Sequence, residues 1–301
     1  MSRIALKIDV DTYRGTREGV PRLADLLERM QARATFLFSL GPDHTGRAVR
    51  RAFRPGFMGK VRRTSVLEHY GLKTLLYGTV LPGPHIARRC RPTLQRIAER
   101  GFEVGVHTYD HVKWQDNVAA QSEPWTRRQM VLARDAFAQV FERYPRVHGA
   151  AGWQINRFVP QLQKELGFEY ASDSRGFRPF LPVIGGRPVE VPQLPTTLPT
   201  LDELIGLPEL AGEDPIDHLL RLTGESDRDH VYTLHAELEG GLYAKGFERL
   251  LRSWRSRGTQ LVDLASYAAT LDFRSLPRHV MEECSVAGRS GTLASQARTS
   301  S

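Results

Sequence analysis

Short apolar runs alternate with amphipathic stretches along most of this 301-residue chain. Ile4-Ala5-Leu6-Lys7-Ile8 predicts a first strand over 3–8, and a helix follows over 17–31, with Pro21 tolerated near its start. Arg33 to Leu40, centred on Ala34-Thr35-Phe36-Leu37-Phe38, reads as a second strand. The alternation continues as a helix over 92–100, a strand over 102–107, a long amphipathic helix over 124–143, a short strand over 147–150, a helix over 158–166 and a strand over 168–172. A proline-rich stretch over 176–200 contains Val189-Glu190-Val191, which predicts a short strand. Beyond it come a helix near 214–223, a buried strand over 231–234, a helix over 244–257, a strand over 260–262 and a helix over 263–270.

Strands alternating with helices imply a parallel sheet joined by crossover helices, which places the chain in the α/β class. Polar clusters fall where successive strands end: Asp9 and Asp11, His107 and His111, Ala150 to Trp153, Asp173, and His235. The C-terminal rim of a (β/α) barrel is where chemistry is built, so this placement predicts a single (β/α) barrel. Two segments break the alternation. Residues 41–90 form an insertion too long for a simple connection, and 176–200 forms a stiff loop near the rim. The expected catalytic domain covers 1–272; the remainder, 273–301, ends in a Ser-, Gly-, Thr- and Ala-rich stretch and is expected to be a disordered tail.

An apolar fraction of 41% and a charged fraction of 25% suit an ordinary folded protein. Two cysteines, Cys90 and Cys284, make no disulfide framework and fit a reducing compartment. The N-terminus enters the first strand directly and no stretch approaches about 18 uninterrupted apolar residues, so a cytoplasmic protein without a membrane span is expected. The net charge of +8 is localised: from His44 to Leu67 there is no acidic residue, while Arg47, Arg50, Arg51, Arg54, Lys60, Arg62 and Arg63 are basic. A patch of this kind points to one anionic surface or substrate, and no nucleic-acid partner is expected. Arg50, Arg51, Arg54, Arg62 and Arg63 interleave with Val49, Phe53, Phe57, Met58 and Val61. That mixture suits a segment resting on an anionic membrane or on lipid phosphate; the competing role is a solvated basic face packed on the barrel.

Candidate chemistry comes from the strand ends. His107 and His111, four residues apart, share one face at a helix start and can chelate one ion, or serve as a capping or surface pair. Asp9 and Asp11 lie two apart on a strand and so share a face. One can bind metal while the other removes a proton from water, or either can cap a helix. Both pairs at strand ends favour a metallohydrolase.

These residues resemble the polysaccharide deacetylase, or NodB-homology, family, which carries an Asp-Asp motif after the first strand, a His-(Ser/Thr)-x-x-His motif and a late Leu-x-His. Here they match Asp9 and Asp11 with one residue intervening, His107-Thr108-Tyr109-Asp110-His111, and Leu234 preceding His235 in Thr233-Leu234-His235. The resemblance spans roughly 1–272 and implies the distorted seven-stranded barrel of that family. It implies that Asp11, His107 and His111 bind one divalent ion (zinc, cobalt or manganese), that Asp9 is the general base and that His235 is the general acid. The resemblance also implies an arginine, in an Arg-x-Pro-Tyr-like motif, that would orient the base Asp9; that motif has no counterpart here, since the matching stretch reads Gly149-Ala150-Ala151-Gly152-Trp153. Trp153 is a candidate for stacking on a sugar face or for rim packing. Asp173, within Tyr170-Ala171-Ser172-Asp173-Ser174, is a candidate for orienting a histidine or for capping a helix. Tyr109 is a candidate substrate contact or support for the ligands.

Within that family, the stretches Asp9 to Leu23, Phe36 to Asp43, His107 to Trp114 and Leu234 to Gly240 resemble the bacterial deformylases of the aminoarabinose pathway. This implies removal of a formyl group from undecaprenyl-phosphate-linked 4-deoxy-4-formamido-L-arabinose by an enzyme held peripherally at the cytoplasmic face of the inner membrane. The product serves lipid A modification and resistance to polymyxin and cationic peptides. The alternatives are an N-deacetylase of another carbohydrate or cell-wall glycan, sharing every metal residue, and a non-enzymatic nucleic-acid- or sugar-binding barrel, which leaves the strand-end set unexplained.

Overall fold

The computed structural model describes residues 2–48, 74–225 and 227–298. Among these, seven parallel strands form the main sheet: β1 (Arg3–Val10), β2 (Thr35–Ser39), β3 (Glu103–Thr108), β4 (Val147–His148), β5 (Tyr170–Ala171), β8 (His230–His235) and β9 (Gln260–Val262). Their order is β5-β4-β3-β2-β1-β8, with β9 against the start of β1. The expected α/β class and parallel sheet are therefore present.

β1 lies between β2 and β8, and its register sets the site, because Asp9 stands opposite His235 on β8 and Leu37 on β2. Segment 193–197 lies between the two ends of this order: Leu194 N donates to Ala171 O at 2.7 Å, and Thr197 N donates to Val231 O at 3.0 Å. Pro192 and Pro195 flank those contacts and lack the N–H that a regular ladder needs.

The pleat divides β1 between two environments. Ile4, Leu6, Ile8 and Val10 join the large core beneath the helices, while Ala5 joins a smaller cluster with Leu37, Val147, Tyr170, Leu194, Val231 and Leu264. Period two then puts Lys7 and Asp9 on the Ala5 side. Two helices show why the outer layer holds. Val20–Arg29 buries Val20, Leu23, Ala24, Leu26 and Leu27, and Ala244–Ser256 buries Phe247, Leu250, Leu251 and Trp254, each an apolar stripe at helical spacing.

Two expectations are corrected. The 176–200 stretch does contain strands, but they are β6 (Leu181–Ile184) and β7 (Arg187–Pro188), joined by Gly185 and Gly186 at φ +57° and +78°. Val189 and Val191 are instead buried as irregular chain against Ala171. The tail is not disordered over its described part. β10 (Arg278–Ser285) and β11 (Thr292–Gln296) complete a second sheet of order β11-β10-β6-β7. β10 pairs with β6 roughly a hundred residues earlier, a long-range contact that local composition does not encode.

Candidate active site

The ends of β1 and β3 deliver the candidate ligands. Asp11 follows β1, His107 sits near the end of β3, and His111 opens the helix His111–Asn117. The two histidines therefore do not share one helix face. A strand, a turn and a helix start bring their rings to 5.3 Å, nearly parallel. Asp110 caps that helix by accepting from Lys113 N at 3.1 Å, and its other oxygen lies 2.6 Å from His44 Nδ1.

Asp11 Oδ1 lies 3.3 Å from His107 Nε2, and Asp11 Oδ2 lies 3.4 Å from His111 Nε2. One ligand atom from each of the three residues falls within 4.8 Å of the others. Donors about 2.1 Å from one ion at the tetrahedral angle stand ~3.4 Å apart, so two imidazoles and this carboxylate fit a divalent ion. The protein fixes the His107 tautomer: Nδ1 donates to Gly149 O at 2.6 Å, leaving the Nε2 lone pair toward Asp11. A Cβ on Gly149 would fall 2.4 Å from Leu37 Cδ1, so the chain here packs closely against that side chain. Burial opposes charge on Asp11, but His111, His107 and His235 outweigh it and hold the carboxyl well below the usual range. Glu237 fixes the Asp11 loop, its Oε1 accepting from Asp11 N at 3.2 Å, Thr12 N at 2.9 Å and Thr12 Oγ1 at 2.7 Å.

Asp9 is 2% exposed and sits 3.7 Å from His107 Nδ1 through Oδ1. That oxygen makes no hydrogen bond with another described residue, as an acceptor awaiting a proton donor requires. Oδ2 lies 3.2 Å from Nζ of Lys7, which is fully buried two residues earlier on the same face of β1. Lys7 thus places a buried cation against Asp9 where the missing arginine motif offers none. A lone lysine inside Ile4-Ala5-Leu6-Lys7-Ile8, in phase with Asp9, was the available sequence signal.

His235 Nδ1 faces Asp202 Oδ1 at 3.7 Å, and its backbone N donates to Glu239 Oε2 at 2.9 Å. Burial disfavours the imidazolium, yet Asp202, Asp11, Asp9 and Glu239 together raise the His235 pKa. Burial pushes Glu239 up to about 7. Asp202 belongs to the short helix Leu201–Leu204, whose capping box pairs Thr200 with Glu203. Thr200 and Glu203 carry a helix-start signal, and that signal masks the contact of Asp202 with His235.

Trp153 does not offer a face to a sugar. It is 1% exposed, its indole N–H donates to Thr196 Oγ1 at 3.1 Å, and its ring is flanked by cations. Lys7 Nζ lies 5.0 Å, Arg175 Cζ 5.3 Å and Arg289 Cζ 4.5 Å from the ring centre. Arg175 and Arg289 both reach Glu203, at 2.8 and 3.3 Å. Arg289, on the turn between β10 and β11, had no local sequence signal. Asp173 does orient a histidine, but it is His148 on β4, outside the ligand set, at 2.8 Å from Nδ1. Asp173 also accepts from Ala150 N at 2.7 Å, which ties β4 to the Trp153 turn. Tyr109 Oη lies 3.3 Å from His85 Nε2. Arg50, Arg51, Arg54, Arg62 and Arg63 lie outside the described residues.

The sequence profile of the polysaccharide deacetylase family matches residues 2–171. A probable 4-deoxy-4-formamido-L-arabinose-phosphoundecaprenol deformylase of Shewanella sediminis is 33% identical, over 99% of this chain and 95% of its own length. A protein of the same name from Wigglesworthia glossinidia brevipalpis is 30% identical, over 94% of this chain and 98% of its own. Among solved structures, a Mycobacterium smegmatis protein assigned to the polysaccharide deacetylases superposes with a TM-score of 0.64 at 17% identity, covering 95% of each chain. With more than half of its length matched by the profile and relatives at this identity over nearly all of it, the chain belongs to the polysaccharide deacetylase family.

Proposed function

We infer that the protein is a metal-dependent deformylase acting on 4-deoxy-4-formamido-L-arabinose-phosphoundecaprenol, with an N-deacetylase of another carbohydrate as the alternative. The observation that carries the chemistry is the convergence of Asp11, His107 and His111, flanked by Asp9 and His235 on adjacent strands. The substrate rests on the names of the two relatives. Such a substrate places the work at the inner membrane's cytoplasmic face, for lipid A modification and polymyxin resistance. No described helix is long and apolar enough to cross a membrane, so contact there is peripheral in this reading.

Asp11, His107 and His111 would hold a divalent ion (zinc, cobalt or manganese), which would supply Lewis acidity toward the acyl oxygen and water. Asp9 accepts the proton of the attacking water through Oδ1, while Lys7 holds Oδ2. Water oxygen adds to the formyl carbon, and collapse of the tetrahedral species breaks the C–N bond. His235, whose pKa is raised by its carboxylate neighbours against the effect of burial, gives its proton to the departing nitrogen, because an amide nitrogen leaves poorly as an anion. Formate and the free amine result.

The division of roles is tested by two variants assayed for bound metal and for formate release. Asp9→Asn retains metal and loses about 10²-fold or more in kcat, whereas His107→Ala loses metal and turnover together. Metal loss in Asp9→Asn contradicts the assignment.

A further inference from the structure

A cleft of about 870 Å³ opens beside the ligand loops, large enough for a sugar phosphate. Tyr13, Arg14 and Arg17 line it from the turn after Asp11, and His85, Arg88 and Arg89 line it from the end of the 41–90 insertion. It is tied to both halves of the metal site. Tyr13 follows Asp11 by two residues and donates its backbone N–H to Asp43 Oδ2 at 2.8 Å. His85 contacts Tyr109, two residues past His107.

The cleft carries excess positive charge. Arg14 and Arg17 both reach Glu18, at 3.1 and 2.6 Å. Arg88 and Arg89 are exposed and form no ion pair with another described residue. Among the described residues, four guanidinium groups and one carboxylate line this cavity. Guanidinium forks match phosphate oxygens in pairs. Their placement within a concavity suits a compact anion, whereas a bilayer calls for an outward-facing surface. Tyr13 and Tyr77, edge to face at 6.5 Å, add an aromatic wall.

We propose that this cleft binds the phosphate that tethers the acylated amino sugar, so the enzyme recognises phosphate-linked amide substrates. The proposal rests on the deformylase reading and adds to it the element that separates a phosphate-linked sugar from a neutral glycan.

The test uses full-length, metal-loaded protein and two short-chain compounds that share one formamido sugar, one an alkyl phosphodiester and the other a neutral alkyl glycoside. Affinity is measured by calorimetry on Asp9→Asn protein and turnover by formate release on wild type. The phosphodiester is expected to bind about 30-fold or more tightly than the glycoside, a gap of roughly 2 kcal/mol. In Arg88→Ala/Arg89→Ala that ratio is expected to fall below about 5-fold, whereas Arg146→Ala, on a distant surface strand end, keeps the wild-type ratio. An unchanged ratio in the double variant overturns the proposal. So does inhibition by inorganic phosphate when the two compounds bind equally, which would make the cleft a site for free phosphate. Loss of binding to phosphatidylglycerol vesicles with the ratio intact also overturns it, assigning the arginines to the membrane. If neither compound is hydrolysed, the deformylase reading fails, and the affinity ratio alone still decides the cleft.

Discussion

Lys7 is where sequence and structure differ most usefully at the scale of single residues. The strand-end carboxylates and histidines were legible because a metal demands particular donors at short spacing, and period two put Asp9 and Asp11 on one face. The partner of Asp9 was sought in an arginine motif after β4, and that motif is absent. The structure supplies a cation from β1 itself, fully buried and 3.2 Å away. Removing one member of a buried pair leaves a charge uncompensated, at a cost of about 3–5 kcal/mol. Lys7→Met is therefore expected to lower the denaturation midpoint and to reduce kcat by about 10²-fold. Lys7→Arg restores most of the kcat, because a guanidinium reaches the same oxygen. Equal kcat losses in both variants would reduce Lys7 to a packing role.

Among whole elements, the short strand expected at 189–191 was misread, and so was the C-terminal hairpin. Its composition resembles a tail, and β10 is mostly exposed, so no alternation of apolar and polar positions marks it. Its ordering comes from distant partners: Ala294 O accepts from Arg175 N at 2.9 Å, and Gln296 N donates to Arg175 O at 2.8 Å. The hairpin turn also brings Arg289 onto Trp153 and Glu203, behind Lys7 on one side and Asp202 on the other. A chain ended after Phe273 is expected to lose at least about 2 kcal/mol of stability, a Tm drop on the order of 5 °C, together with most of its turnover. A disordered tail would be removable without either effect, and calorimetry with an activity assay distinguishes the two. The helix-turn glycines show the same dependence on distant chain. A Cβ on Gly19 would fall 2.0 Å from Ala236 O, so the helix after Asp11 packs directly on the turn after His235.

At the scale of the whole molecule, the parallel main sheet places the catalytic candidates Asp9, Asp11, His107, His111 and His235 at one rim. The strands and their parallel pairing follow from alternating apolar and amphipathic runs, which is why most of them were legible. The bridge between β5 and β8 was not, because 193–197 bonds to both neighbours as proline-interrupted chain with no strand pattern. The side chains that tune the rim were also hidden. Asp202 sits next to a capping box, and Glu237 and Glu239 gain their roles only when the turn after β8 folds back on Asp11 and His235. What the rim cannot encode through its metal residues alone is the acyl group, since a deacetylase would use the same set. The direct measurement is mass spectrometry of the undecaprenyl-phosphate-linked formamido and acetamido sugars, each incubated with metal-loaded and with chelator-stripped protein. The account predicts free amino sugar from the formamido compound with metal-loaded protein alone; release from the acetamido compound at an equal rate, or amine formation by the stripped protein, would contradict it.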